Sequence, residues 1–136
     1  MILYLLDHRR WIDNEYYDTK FIGVFSSHAL VSKTINKYSN LPGFCNFTSN
    51  FHTESLEISR KARCLRSKTI YVLTTTQVLN DDEITLSYCI YSNLFHAKLA
   101  HMMKSIVKHS KKKQKYYVSK HRLNHSEWAE GFEIIC

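Results

Sequence analysis

KFIGVFSSHALVSKTINKYSNLPGF, residues Lys20 to Phe44, holds in one run a buried-type strand, a serine cap, an amphipathic helix and a stop. Phe21, Ile22, Val24 and Phe25 put β-formers on both faces of an extended segment. Gly23 between them is the one place where a neighbouring backbone has room to come close. Ser26 or Ser27 can accept from the free N–H groups of a first helical turn. Val31, Thr34, Ile35 and Tyr38 then recur at helical spacing as one inward stripe, with Ser32, Lys33, Asn36 and Lys37 turned outward. Pro42-Gly43 ends the helix near Leu41, because proline has no N–H to donate and its ring crowds the preceding turn.

Working outward, Ile2-Leu3-Tyr4-Leu5-Leu6 is apolar at every position, as a strand buried on both faces is, and this predicts a central place in its sheet. Asp7 to Thr19 forms a long polar and aromatic hairpin connection, and Phe51 to Ser59 reads as a third strand. After a basic linker, Arg60 to Lys68, the pattern starts again. Ile70 to Leu73 matches Leu3 to Leu6, and Leu86 to Ser92 matches Lys20 to Ser26. A helical run with Phe95, Leu99, Met102, Met103 and Ile106 stands where the first helix stood, and Tyr116 to Leu123 takes the place of Phe51 to Ile58. The predicted fold is α+β: two ββαβ units forming an internal repeat, with mixed or antiparallel sheet and two helices packed on it. The units span residues 1–59 and 69–136, joined by linker 60–68 into one compact domain, with the closing Trp128 to Phe132 segment counted in the second. The halves could join as one six-stranded sheet or as two three-stranded sheets.

At 136 residues, 44% hydrophobic and 23% charged, the chain has the composition of a globule able to bury a core. A formal charge of +7 biases the surface toward acidic partners, though spread evenly it also serves solubility. Cys45, Cys64, Cys89 and Cys136 show neither CxxC spacing nor a histidine at zinc-finger distance, so a metal site or redox motif is not expected. The five-residue apolar run at Ile2 lacks the parts of a signal peptide, and no segment approaches the roughly 20 apolar residues of a membrane span. A cytoplasmic protein without cofactor is expected, as a monomer or a pseudo-dimer within one chain.

Four short motifs resemble those of a group of small, functionally uncharacterised bacterial proteins. Tyr4-Leu5-Leu6 is similar to their opening Y-x-L strand, Ile22 to Ser27 to their I-G-V-(Y/F)-S-S strand end, and Pro42-Gly43-Phe44 to their P-G-F. Trp128-Ala129-Glu130-Gly131-Phe132 resembles their closing W-x-E-G-F. The closing motif follows the second half, so the chain resembles the family with an extra unit inserted before its end. That half lacks the Ile-Gly and Pro-Gly-Phe motifs. The resemblance implies a fold rather than a reaction.

Two stretches concentrate chemistry. The first hairpin carries Arg9, Arg10, Trp11, Asp13, Glu15, Tyr16 and Tyr17, types that dominate interface energy because they bury large areas while keeping a polar handle. Asp81, Asp82 and Glu83 form an acidic second tip. The other stretch is basic: Lys108, Lys111, Lys112, Lys113 and Lys115, followed by Tyr116 and Tyr117, could contact phosphates and stack bases. It also follows a helix C-terminus, where cations complement the helix dipole, and lies at the sheet end of the acidic tip. His8, His28, His52 and His121 have no spacing that forces two imidazoles onto one phosphate, and His121 and His125, four apart in a predicted strand, do not converge as they would on a helix.

With no catalytic motif, the expected role is non-enzymatic protein binding, in the form of an immunity protein that neutralises a cognate bacterial toxin. The alternative is a nucleic-acid-binding module using Lys108 to Tyr117. No membrane partner is expected.

Overall fold

A computed structural model describes residues 2–11, 17–58, 69–79, 82–107, 114–128 and 130–131. The elements run β1 (Ile2–Trp11), β2 (Tyr17–Phe25), α1 (His28–Tyr38), β3 (Phe51–Glu57), β4 (Thr69–Leu79), β5 (Asp82–Tyr91), α2 (Leu94–Val107) and β6 (Gln114–Arg122). They form two antiparallel three-stranded sheets, ordered β2-β1-β3 and β5-β4-β6. In each the first strand of its half lies in the middle, where its apolar run can be covered on both sides. The chain divides into two compact units, one of Ile2–Ser55 with Leu123–Cys136, the other of Leu56–Arg122. The closing segment, last in sequence after the second half, thus groups with the first. The linker read over residues 60–68 lies outside the described residues. No helix among the described residues is long and apolar enough to cross a membrane.

In the first unit, Leu3, Leu5 and Leu6 of β1 are fully buried. Tyr4 pairs with Phe25 and Leu6 with Gly23; the register then slips by one residue at Leu6/Asp7. Ser27 caps α1, its hydroxyl accepting from the Leu30 N–H at 3.3 Å. Val31 and Tyr38 are buried and Leu30 and Ile35 pack beside them, so the predicted stripe faces a core of Leu6, Ile22, Phe25 and Phe44. After the helix Gly43 adopts a φ of 84°, which a residue with a Cβ would resist, and this turn delivers Phe44 into the core.

The closing segment is fastened along β2. The Asn124 N–H donates to the Val24 carbonyl at 2.8 Å and the Glu127 N–H to the Ile22 carbonyl at 2.7 Å, with a bridge between Gly23 and Ser126. The buried Tyr38 hydroxyl donates to the Glu127 carbonyl. Gly23 is the close approach its position predicts: a Cβ there would stand 2.5 Å from the His125 carbonyl oxygen.

In the second unit, Tyr71 pairs with Tyr91 and Leu73 with Cys89, while Thr69 to Gln77 pair with Arg122 to Gln114 on the other side. A bulge between Thr75/Thr76 leaves Leu86 as the extra residue of β5. The Phe95 N–H donates to Asn93 Oδ1 at 2.7 Å, which caps α2. The apolar spacing that marks this helix does not mark its buried face. Ala97 is buried and Ala100, His101 and Lys104 are half-buried, whereas Phe95, Leu99, Met102 and Met103 are exposed. α1 begins at His28 and α2 at Leu94, 66 positions on. At that offset Val31, Thr34, Ile35 and Tyr38 correspond to Ala97, Ala100, His101 and Lys104. The two helices therefore turn the same positions inward, but α2 carries small and polar groups there and its large apolar side chains outside.

Candidate functional site

The first hairpin is described up to its tip. Trp11 and Tyr17 are register partners that close the β1–β2 ladder, and Asp13, Glu15 and Tyr16 lie outside the described residues. Arg9 turns its Nε toward the fully buried Asp7 carboxylate, 3.3 Å away. Arg10 lies over the Phe47 ring at 5.6 Å. Both guanidiniums are thus engaged within their own unit. His8 is a core histidine: its Nε2 lies 2.9 Å from the Phe47 carbonyl and its ring meets Phe44 and Phe51 edge-on. Burial pushes its pKa down.

Of the acidic tip and the basic stretch, Glu83 of β5 and Tyr117 of β6 meet. Glu83 Oε1 accepts from the Thr76 hydroxyl at 2.5 Å and from the Tyr117 hydroxyl at 2.6 Å. These two hydrogen bonds hold the Glu83 carboxyl below its ordinary value, with the Lys115 charge adding in the same direction, and the carboxylate in turn pushes the Tyr117 phenol up. Asp82 pairs with Leu79 through the backbone, and Asp81, Lys108, Lys111, Lys112 and Lys113 lie outside the described residues. Tyr116 is built into the helix–sheet packing. His101 Nε2 donates toward its carbonyl at 3.0 Å and Lys104 Nζ lies 5.9 Å from its ring centroid. Tyr116 and Tyr117 are consecutive in β6, so they project to opposite faces and cannot form one stacking platform.

The feature that sequence reasoning missed is the outer face of α2. Phe95 is 68% exposed, Met103 57% and Met102 51%, with Leu99 beside them. Beside Met103 the surface sinks into a hollow of about 450 Å³ lined by Leu86, Ser87, Lys104, Gln114 and Tyr116. The β5 bulge supplies Leu86, itself an exposed leucine. Among the described lining residues there are hydroxyls, an amide and an ammonium, but no imidazole or carboxylate beside the Ser87 hydroxyl to act as its base. Among the described residues no group of three or more His, Cys, Asp or Glu side chains could hold a metal ion. The hollow and the stripe together offer a surface for apolar contact. One signal could have exposed this face: at the α1 offset, Phe95, Leu99, Met102 and Met103 fall on Ala29, Lys33, Asn36 and Lys37, the solvent side of the first helix. Compared with family models, curated proteins and solved structures, the chain matches none.

Proposed function

We propose that this chain is a non-catalytic, cytoplasmic protein-binding protein, and that its specific form is an immunity protein that neutralises a cognate bacterial toxin. One observation carries the binding reading: α2 holds four large apolar side chains outward while facing its own sheet with alanines, a histidine and a lysine. A soluble surface tolerates single apolar residues, but a contiguous stripe beside a hollow is the form of an interaction site. The two halves are read as copies of one ββαβ unit, because their sheets share a strand order and their helices the same inward positions. In that account the first copy keeps a packed helix and the second has given its helix to a partner.

The nucleic-acid alternative draws less support. Tyr116 and Tyr117 point to opposite faces and the Tyr117 hydroxyl is taken by Glu83. Protection of growth tests the proposal. Co-expressed with a toxin domain encoded beside it, the wild-type chain restores growth, and a Phe95→Glu, Met102→Glu variant of unchanged melting temperature does not. A variant that protects as well as wild type moves the interface off α2, and failure of the wild type to protect removes the immunity role.

A further inference from the structure

We infer that the outer face of α2 and the adjoining hollow receive an amphipathic helix of a protein partner, apolar along one ridge and rimmed by carboxylates, with one large apolar side chain seated in the hollow. This rests on the protein-binding reading and specifies the chemistry of the partner.

The shape argues for a helix. Phe95, Leu99, Met102 and Met103 span about 12 Å of helix axis at 1.5 Å per residue, a row that offers grooves to the ridge of another helix. Methionines adapt to irregular partner side chains at little cost, so a pair at the centre suits docking. The hollow of about 450 Å³ is large enough for an aromatic or leucine anchor, and Leu86 and Met103 give it apolar walls.

Charge decides between occupants. From Ser92 to Val107 there is no Asp or Glu; Lys98 flanks the stripe, and Lys104, on the inward side of the helix, lines the hollow. Glu83, an acid of the same unit, already accepts from Thr76 and Tyr117. A second copy of this chain would bring another lysine-flanked stripe and another +7 against the first, so like charges would face each other. An anionic lipid surface would satisfy the lysines, but a planar surface leaves the hollow beside Met103 unfilled. An acid-rimmed helix satisfies the lysines, the stripe and the hollow together.

Selection from a displayed library of helical 18-residue peptides tests this, using the full chain as bait and a Phe95→Lys, Met103→Lys variant as counter-bait. The enriched peptides should carry apolar residues at i, i+4 and i+7 with Asp or Glu on the flank that meets Lys98, and bind the variant at least tenfold more weakly. Neutral or basic peptides that lose binding to the variant would overturn the acidic partner while leaving α2 as a protein-binding face. Peptides that bind the variant equally, or no enrichment, would overturn both. Flotation of the chain with vesicles containing 30% phosphatidylserine, lost in the variant, would assign the face to membrane and overturn the helix. Both substituted side chains are exposed, so a variant that fails to fold would contradict the exposed stripe itself.

Discussion

The hydroxyl of Tyr38, at the last turn of α1, donates a hydrogen bond to the backbone carbonyl of Glu127, 89 residues further on. A side chain of the first helix thereby anchors the closing segment. Tyr38→Phe removes one buried hydrogen bond and leaves that carbonyl to find another donor. The expected loss is about 1–2 kcal/mol, with faster amide exchange at Asn124 and Glu127. Unchanged exchange there would mean the β2 hydrogen bonds hold the segment without the tyrosine.

Gly23 makes the same attachment possible from the strand side. In Gly23→Ala the new methyl would meet the His125 carbonyl oxygen at 2.5 Å, so the closing segment or β2 must shift, at a cost of about 1–3 kcal/mol. Cys89 occupies the equivalent register position in the second sheet, opposite Leu73 as Gly23 is opposite Leu6. Cys89→Ala should cost less than Gly23→Ala by chemical denaturation, and the reverse order would contradict the close approach.

His8 predicts an acid-sensitive core. Burial lowers its folded pKa below the unfolded value near 6.5, so the neutral ring contributes stability that is fully present above that value and is lost as pH falls through the folded pKa. Melting temperatures between pH 7.5 and 4.5 should fall for the wild type and fall less for a neutral His8→Gln variant. Parallel curves would show that His8 titrates alike in both states.

Glu83 should titrate below its ordinary value, and its contribution is present above the unfolded pKa and lost as pH falls through the folded one. Tyr117→Phe removes one of its two donors. The Glu83 carboxyl midpoint followed by NMR should move up in that variant, and an unmoved midpoint would place the hydroxyl elsewhere.

The parts of the fold that were legible in sequence are those whose signal is local. Ser27, the Val31–Tyr38 stripe and Pro42-Gly43 each act through backbone geometry or helical spacing, and Gly23 stands out because its neighbours are bulky. The central places of β1 and β4 follow from apolar runs that need two covers. The facing of α2 was not legible from its own residues, since periodicity reports a stripe without saying which side meets the sheet. Comparison with α1 carries that information: Ala97 stands where Val31 does, and Phe95 where Ala29 does. The route of the closing segment was hidden because its bonds to Val24 and Ile22 run through backbone atoms that carry no sequence signal, and the Asn124 side chain reaches Ser26, 98 residues away. Of the hairpin residues, Arg9 and Arg10 turn to Asp7 and Phe47, contacts that composition does not reveal.

The proposed immunity role is tested most directly by the affinity of a toxin domain encoded beside the chain for the wild type and for Phe95→Ala and Met103→Ala variants of the full chain, measured by calorimetry beside their thermal unfolding. Each truncation should weaken binding at least tenfold, about 1.4 kcal/mol, because an apolar anchor at a docked surface is desolvated only in the complex. Melting temperatures should stay within a degree or two of wild type, since both side chains are exposed in the free protein. Unchanged affinity, or a loss of stability of the several kcal/mol typical of a truncated core side chain, would contradict it.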